Sequence, residues 1–349
     1  MECSNAPPLS SEDNKFCILA FYKFVSPIVE DDQVARWKET VEEFLRVTVQ
    51  CDVRGLVLLS VEGINGTICF PHHAAERVET FFTNMFPGGL LTRRSTSKRS
   101  VFYRLNIKIR SENVTLGPVI HHNNDDAASP SYLRPYRTGE YVSPGKEWND
   151  LLTDPDCLVI DTRNEYEVDI GTFEGSVQPH TSEFREFPEW LEQQLLEKKD
   201  RRPKKIAMFC TGGIRCEKST ALCLQMLAQE DKQEDDASSI PVYHLRGGIL
   251  AYLDQVPASE SLFRGECFVF DQRTAVSHGL QPSTSFVSCH ACRRAVPKED
   301  TRLSTYQEGV SCPRCFDERK ERRQRYTDRQ KQFATLEGEA SANRAPKSI

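Results

Sequence analysis

The stretch 204–227 reads KKIAMFCTGGIRCEKSTALCLQML. Ile206 to Phe209 form an apolar, strand-like run that ends on Cys210. Two glycines, an arginine and a second cysteine follow, and an amphipathic helix pattern begins at once. A buried strand, a glycine turn and an immediate helix form the unit from which parallel α/β sheets are built. In such sheets ligands bind at the carboxyl ends of the strands, which is where Cys210 falls. The junction also prepares a thiol for reaction. The following helix presents unpaired N–H groups and its positive dipole end, and a tight turn aims successive N–H groups at one centre. Both lower a thiol pKa and favour the nucleophilic thiolate. Thr211, Gly212, Gly213 and Ile214 make the turn, and Arg215 adds a fixed positive charge. Cys216 is either a partner that resolves an oxidised or persulfidated Cys210, or a packing residue. A buried strand-end thiol beside an ordinary turn is the plainer alternative for Cys210. The full string and its place after a buried strand disfavour it.

Outward from this loop, strands and helices alternate over 138–262. CLVIDTR and VYHLRGG read as strands, and SEFREFPEWLEQQLLEKK and GILAYLDQV as helices. Such alternation implies a parallel sheet covered on both faces. The acidic EDKQEDDASS, residues 230–239, reads as a surface loop. Upstream, residues 14–112 read strand, helix, strand, strand, helix, strand, ending in VFYRLNIKIR. That βαββαβ order is ferredoxin-like (α+β). A polar connector spans 113–137, and its adjacent His121 and His122 read as solvated rather than metal-binding. A hairpin and two cysteine pairs occupy 263–325, and a basic tail without a core pattern occupies 326–349.

Bulk properties narrow the classes. With 349 residues, 38% of them hydrophobic, the chain is long enough for two or three domains. The longest early apolar run, FCILAFY, is seven residues, stops at Lys23 and has no basic n-region before it, so it is neither a signal peptide nor a membrane span. A cytoplasmic protein is expected, and the glycosylation-like NGT and NVT triplets carry no weight. Thirteen cysteines in so long a chain are not spaced as a disulfide scaffold. A net charge of −6 leaves no global attraction to nucleic acid, so any such contact must be local.

CTGGIR resembles the six-residue active loop of rhodanese domains, Cys-x-x-x-x-Arg. Related phosphatases place five residues between Cys and Arg; four make a smaller ring, suited to a single sulfur or oxygen-sized group. DTRNEYE resembles the DxRxxxE element of rhodaneses, which gives Asp161, Arg163 and Glu167 supporting roles, and HLRGGI resembles their late strand and turn. The likeness extends further. FYKF, EGING, YRLNIKIR, TGEYVSP, CTGGIRCEKS, FVFDQR and paired CxxC motifs follow one another over residues 16–320. This series resembles the bacterial tRNA uridine 5-hydroxylase family and its eukaryotic relatives of the thiosulfate sulfurtransferase/rhodanese-like domain-containing type. The resemblance implies oxygen-dependent 5-hydroxylation of the wobble uridine in tRNA, with molecular oxygen as co-substrate and Cys210 as the essential cysteine. Bacterial members carry a denser cysteine cluster near the C-terminus than the four found here. No flavin, haem or non-haem iron motif is present.

Cys289 and Cys292 are separated by nineteen residues from Cys312 and Cys315. Two residues between cysteines let both sulfurs reach one tetrahedral ion, so the pattern reads as a structural four-thiolate zinc site, with a redox dithiol pair or an unmetallated remnant as the alternatives. The intervening residues hold little core, and metal would supply much of that module's folding energy. His290 is not needed as a ligand.

Basic residues gather locally. TRRSTSKRS carries Arg93 and Arg94, and Arg104, Lys108 and Arg110 alternate along one strand and so share a face. ERKERRQRYTDRQK forms a second cluster. Charge alone leaves ordinary solvated faces open; with the resemblance, these residues become candidates for contact with tRNA phosphates. Two other functions compete. One is a sulfurtransferase moving sulfur from thiosulfate or a persulfide donor protein through Cys210. The other is a non-catalytic zinc adaptor, which the intact loop disfavours. A plain sulfur relay needs neither the basic patches nor the added N-terminal domain.

Overall fold

The computed structural model describes residues 16–86, 88–117, 137–197, 203–231 and 240–318, and singly 133, 135, 320, 321, 324, 325 and 328. The expectations for His121 and His122, for most of the acidic loop, for most of the second basic cluster and for the C-terminal tail lie outside the described residues. The chain divides after Gln281 into two compact units.

The first unit opens with β1 (Phe16–Phe24), α1 (Asp31–Glu43), β2 (Arg54–Ser60), β3 (Gly63–Pro71), α2 (Ala75–Met85), β4 (Leu91–Ser97) and β5 (Leu105–Ile109). The sheet order is β4-β1-β3-β2-β5. The antiparallel four, β4-β1-β3-β2, make the ferredoxin-like sandwich; β5 adds a fifth strand parallel to β2. The strand that completes the sandwich is therefore β4, which runs from Leu91 into the basic TRRSTSKRS, and not VFYRLNIKIR as the sequence implied. Hydrogen bonding to β1 along a seven-pair register holds a Ser- and Arg-rich segment that has little strand propensity of its own.

Strand alternation sends Leu19, Phe21, Val57, Leu59, Ile64, Ile68 and Ile107 into a core with Val34 and Val41 of α1 and Val78 and Phe82 of α2. The other face is open to the rest of the unit. Two cross-strand rows cross it: Arg93, Ala20, Thr67, Leu56, Asn106, and Leu91, Tyr22, Asn65, Leu58, Lys108.

The α/β part comprises β6 (Glu140–Val142), α3 (Lys146–Thr153), β7 (Cys157–Asp161), α4 (Glu165–Val168), β8 (Gly171–Phe173), α5 (Phe187–Glu197), β9 (Lys205–Phe209), α6 (Ile214–Asp231), β10 (Val242–Leu245) and α7 (Gly248–Gln255). Strands β6-β10-β9-β7 form a parallel sheet. Alternate residues of β9 enter two cores: Ile206 and Met208 meet Phe187, Leu191 and Leu222, while Ala207 and Phe209 meet Trp148, Phe173 and Tyr252. Both faces are thus covered, which explains the uninterrupted apolar run of β9.

The hairpin of β12 (Cys267–Phe268) and β13 (Ala275–Val276), preceded by β11 (Phe263–Gly265), also belongs to this unit. Phe263, Cys267, Val269 and Val276 are buried in the second of those cores. Grouping the hairpin with the cysteine pairs, as the sequence did, is not what the packing shows.

The second unit holds β14 (Phe286–Ser288) and β15 (Ala295–Pro297) around a small cluster of Cys289, Ala291, Val296, Cys312 and Cys315. No described helix is long and apolar enough to cross a membrane.

Candidate active site

Cys210 directly follows the last residue of β9, and α6 begins four residues later at Ile214. The thiol is fully buried at the floor of the loop, and the Gly213 N–H donates to its sulfur at 3.0 Å. Burial alone would push the Cys210 thiol up. A hydrogen bond from the Cys216 thiol, the Arg215 charge and the N–H groups of Cys216 and Gly213 together outweigh it and hold the thiol at about 6. Burial and the neighbouring Cys210 sulfur push Cys216 the other way, well above the ordinary thiol range. The loop therefore pairs one thiolate with one neutral thiol.

The turn depends on glycine at two points. Gly213 has φ of +101°, and a Cβ there would meet the Tyr22 hydroxyl at 3.1 Å. Gly248, with φ of +65°, lets α7 start directly against the loop; a Cβ would lie 2.5 Å from the Cys210 carbonyl oxygen. The Ile249 and Leu250 N–H groups then donate to the carbonyls of Cys210 and Thr211 at 2.9 and 3.0 Å.

Arg215 does not bond to the sulfur. It donates two parallel bonds to the buried Glu167 carboxylate, at 2.6 and 2.8 Å, and a third to the Thr211 hydroxyl at 3.1 Å. Glu167 is itself fixed by the capping box it forms with Asn164 at the start of α4. A bidentate Arg–carboxylate pair fixes orientation as well as charge, so the loop is clamped from below. Asp161 and Arg163 form a second buried pair at 2.7 Å, extended by Thr172 donating to Asp161 and Arg163 to the Gly171 carbonyl. Asp161, Arg163 and Glu167 thus lie beneath the loop as buried framework, while Gly212 and Ile214 face outward, half-buried.

Above the loop lies a cleft of about 830 Å³ between the open face of the N-terminal sheet and the α/β part. Cys210, Thr211, Gly212 and Ile214 line one side, and Ala20, Tyr22, Asn65 and Thr67 the other. A second cavity of about 420 Å³ shares the Arg93 and Phe270 lining and runs on beneath Leu56, Leu58 and Arg110.

A buried polar network behind Tyr22, which lines this cleft, was not singled out from the sequence. The Tyr22 hydroxyl donates to Glu217 at 3.0 Å, and Tyr141 donates to the same carboxylate oxygen. Burial pushes Glu217 up. Beside them Lys218, wholly buried, pairs with Glu62 at 2.9 Å and Glu112 at 2.5 Å and donates to the Val114 carbonyl at 3.1 Å. These three acceptors match the three donors of an ammonium. The signal lies in the motifs FYKF, EGING, TGEYVSP and the CEK after the loop, of which Tyr22, Glu62, Tyr141, Glu217 and Lys218 are the members that meet.

The basic candidates separate. Arg93 faces the cleft, half-buried, 3.6 Å from Asp254. Arg94 points to the opposite face and is bonded to Glu79 of α2, which removes it from the set. Lys108 is exposed on the open face; Arg104 and Arg110 flank β5 rather than lying within it, although both continue its hydrogen bonding to β2.

Residues 16–112 match the family described as UPF0176 acylphosphatase like domain, and residues 145–255 match the rhodanese-like domain. Three curated relatives share the chain nearly end to end. A tRNA uridine(34) hydroxylase of Acaryochloris marina is 41% identical over 92% of this chain and 93% of its own. Its namesake in Teredinibacter turnerae is 41% identical over 93% and 92%, and that of Gluconobacter oxydans 46% over 81% and 83%. The chain belongs to the tRNA uridine(34) hydroxylase family.

In this member of the family the clamped rhodanese loop and the acylphosphatase-like sheet face each other across one cleft, so the two matched domains contribute opposite walls. The hairpin carrying FVFDQR lies beyond both matched segments, yet places Phe270 on the same cleft.

The second unit supplies a separate thiol centre. The sulfurs of Cys289, Cys292, Cys312 and Cys315 all lie within 4.8 Å of one another. Those of Cys289 and Cys315 are 3.9 Å apart, Cys292 and Cys312 3.7 Å, and Cys312 and Cys315 3.8 Å. Four sulfurs in this arrangement fit a metal ion.

Proposed function

We propose that this protein hydroxylates carbon 5 of the wobble uridine in tRNA, with dioxygen as co-substrate and Cys210 as the reactive group. The observation that carries the reading is the depressed Cys210 thiol on the cleft floor, in a chain over 40% identical to the named hydroxylases. Placing one oxygen atom on carbon 5 and releasing the other as water takes up two electrons and two protons. Cys210 and Cys216, in contact as thiolate and thiol, supply both electrons on closing to a disulfide, with the balance of protons drawn from solvent. Arg215, held by Glu167, keeps the loop in shape. Arg93, Lys108 and Arg110 on the open face hold tRNA phosphates. Such chemistry fits the cytoplasm.

In the second unit the ion is zinc in a structural role. A tetrahedron of thiolates at the usual zinc–sulfur distance has edges of about 3.8 Å, and the three sulfur separations above fit it. All four positions are filled by protein, which leaves none open for substrate.

The four-residue loop also favours a second reading, sulfur transfer, with a persulfide on Cys210 loaded from thiosulfate or a donor protein. Nucleoside mass spectrometry of tRNA from cells with and without the protein tests the first reading; 5-hydroxyuridine-derived nucleosides present only with the protein support it. Thiosulfate turnover without any change in tRNA supports the second.

A further inference from the structure

Phe270 is 63% exposed although its neighbours Phe268 and Val269 are buried. It stands at the mouth of the cleft whose floor is Cys210, and it lines both cavities there. Its ring is held rather than loose. Phe268 lies edge-on at 5.1 Å, and Phe268 in turn packs edge-on against Tyr166 of α4 at 5.4 Å. Directly after it, Asp271 and Arg273 are locked together by bonds of 2.6 to 3.2 Å, which fixes the turn that presents the ring.

Cations without a carboxylate partner sit on the same cleft. Arg246 rests its guanidinium 4.7 Å from the Tyr141 ring, and Arg110 lines the adjoining cavity; neither has an ion pair among the described residues. An exposed, rigid aromatic face beside unpaired cations is the chemistry that receives an unstacked nucleotide. Unpaired bases in RNA loops are recognised by stacking on aromatic rings while phosphates meet Lys and Arg. Enzymes that act on a base likewise draw it from its stack into a pocket. A cleft of about 830 Å³ is within the range of small-ligand sites and has room for one nucleotide.

We propose that Phe270 is the stacking platform for the target base, with Arg246 and Arg110 taking the adjacent phosphates, so that a single unstacked pyrimidine nucleotide is delivered over Cys210. This rests on the hydroxylase reading for the identity of the base, though not for the stacking contact itself.

The test is a thermodynamic cycle on the full chain. The probe is an anticodon stem-loop RNA carrying either uridine or an abasic site at the wobble position. Phe270→Ala should weaken binding of the uridine loop by roughly 5- to 100-fold, the usual range for one base on one ring. It should change binding of the abasic loop little, so that the two losses do not add. Phe270→Tyr should restore affinity and Phe270→Leu should not, which separates a π-face from mere apolar bulk. The ring is exposed, so all three variants should melt as the parent does. Equal affinities for parent and Phe270→Ala, or fully additive losses, would overturn the proposal. If the cycle behaves as stated but tRNA from complemented cells lacks the hydroxylated nucleoside, the stacking site stands and the hydroxylase reading falls.

Discussion

Cys210 and the set Cys289, Cys292, Cys312 and Cys315 are both largely buried thiol centres, yet they are stabilised in opposite ways. At Cys210 the fold comes first. Two cores, a clamped arginine and a glycine turn hold backbone N–H groups on one sulfur, and the low pKa follows from that rigidity. In the second unit the described apolar side chains around the sulfurs are few: Ala291, Val296, Val287 and Tyr306. On the zinc reading proposed above, an ion holds the fold there, rather than a fold tuning the thiol. On that reading, reactivity belongs to the site that exists without a ligand, and structural duty to the site that does not.

Removing the metal probes the larger contrast. Chelation, or Cys312→Ser, should unfold the second unit outright, since structural zinc sites are worth about 10–16 kcal/mol in small modules. Limited proteolysis should then cut after residue 281 and leave a resistant fragment containing Cys210. Elemental analysis should give one zinc per chain beforehand. A chelated protein with an undisturbed C-terminal module would erase the distinction.

Alkylation sharpens the other side. Iodoacetamide should modify Cys210 with a pH midpoint at about 6, reactivity falling as pH drops through that value and the thiolate is protonated. Cys267, which burial pushes up to about 12, should stay inert across the same range. Arg215→Gln should move the Cys210 midpoint upward by about 1–3 units, the usual effect of losing one adjacent charge. Peptide mass spectrometry of the alkylated protein reads both.

An effect smaller than metal removal is expected at the joint between the two matched domains. Lys218→Met leaves Glu62 and Glu112 buried without their cation and should destabilise the first unit by about 3–5 kcal/mol. Adding Glu62→Gln and Glu112→Gln should recover much of it, because the cost lies in the stranded charges. Denaturant unfolding followed at the tryptophans would measure this; a Lys218→Met protein as stable as the parent would mean the triad contributes nothing.

The loop was readable because it is local: strand, turn and helix follow one another within twenty-odd residues. What depended on distant pairing was not. Leu91–Ser97 has no apolar residue after Leu91 and so no alternating pattern, and its ladder with β1 makes it a strand. Without that strand, nothing distinguished Arg93 from Arg94, although one faces the cleft and the other α2. Lys218 reads as a surface residue on a helix; its burial is imposed by Glu62 and Glu112, over a hundred positions away. Within the matched motifs these residues were visible as letters but not as contacts.

The faintest effect separates the two faces of the N-terminal sheet. Lys108→Glu with Arg110→Glu should weaken tRNA binding and lower the salt slope by about 0.7–0.9 per lost phosphate contact. Arg94→Glu, on the other face, should leave the slope unchanged. Binding isotherms at several salt concentrations decide this, and an equal response from both variants would remove the open face as the RNA surface.

The central claim is that the Cys210 thiolate performs the hydroxylation, and it is tested most directly in cells lacking this protein. The parent chain or Cys210→Ser is reintroduced at matched levels, and tRNA nucleosides are measured by mass spectrometry. A serine hydroxyl is not ionised by the same N–H groups at neutral pH, so the account predicts the modified nucleoside with the parent and none with a folded Cys210→Ser protein. Full restoration by the serine variant would contradict it.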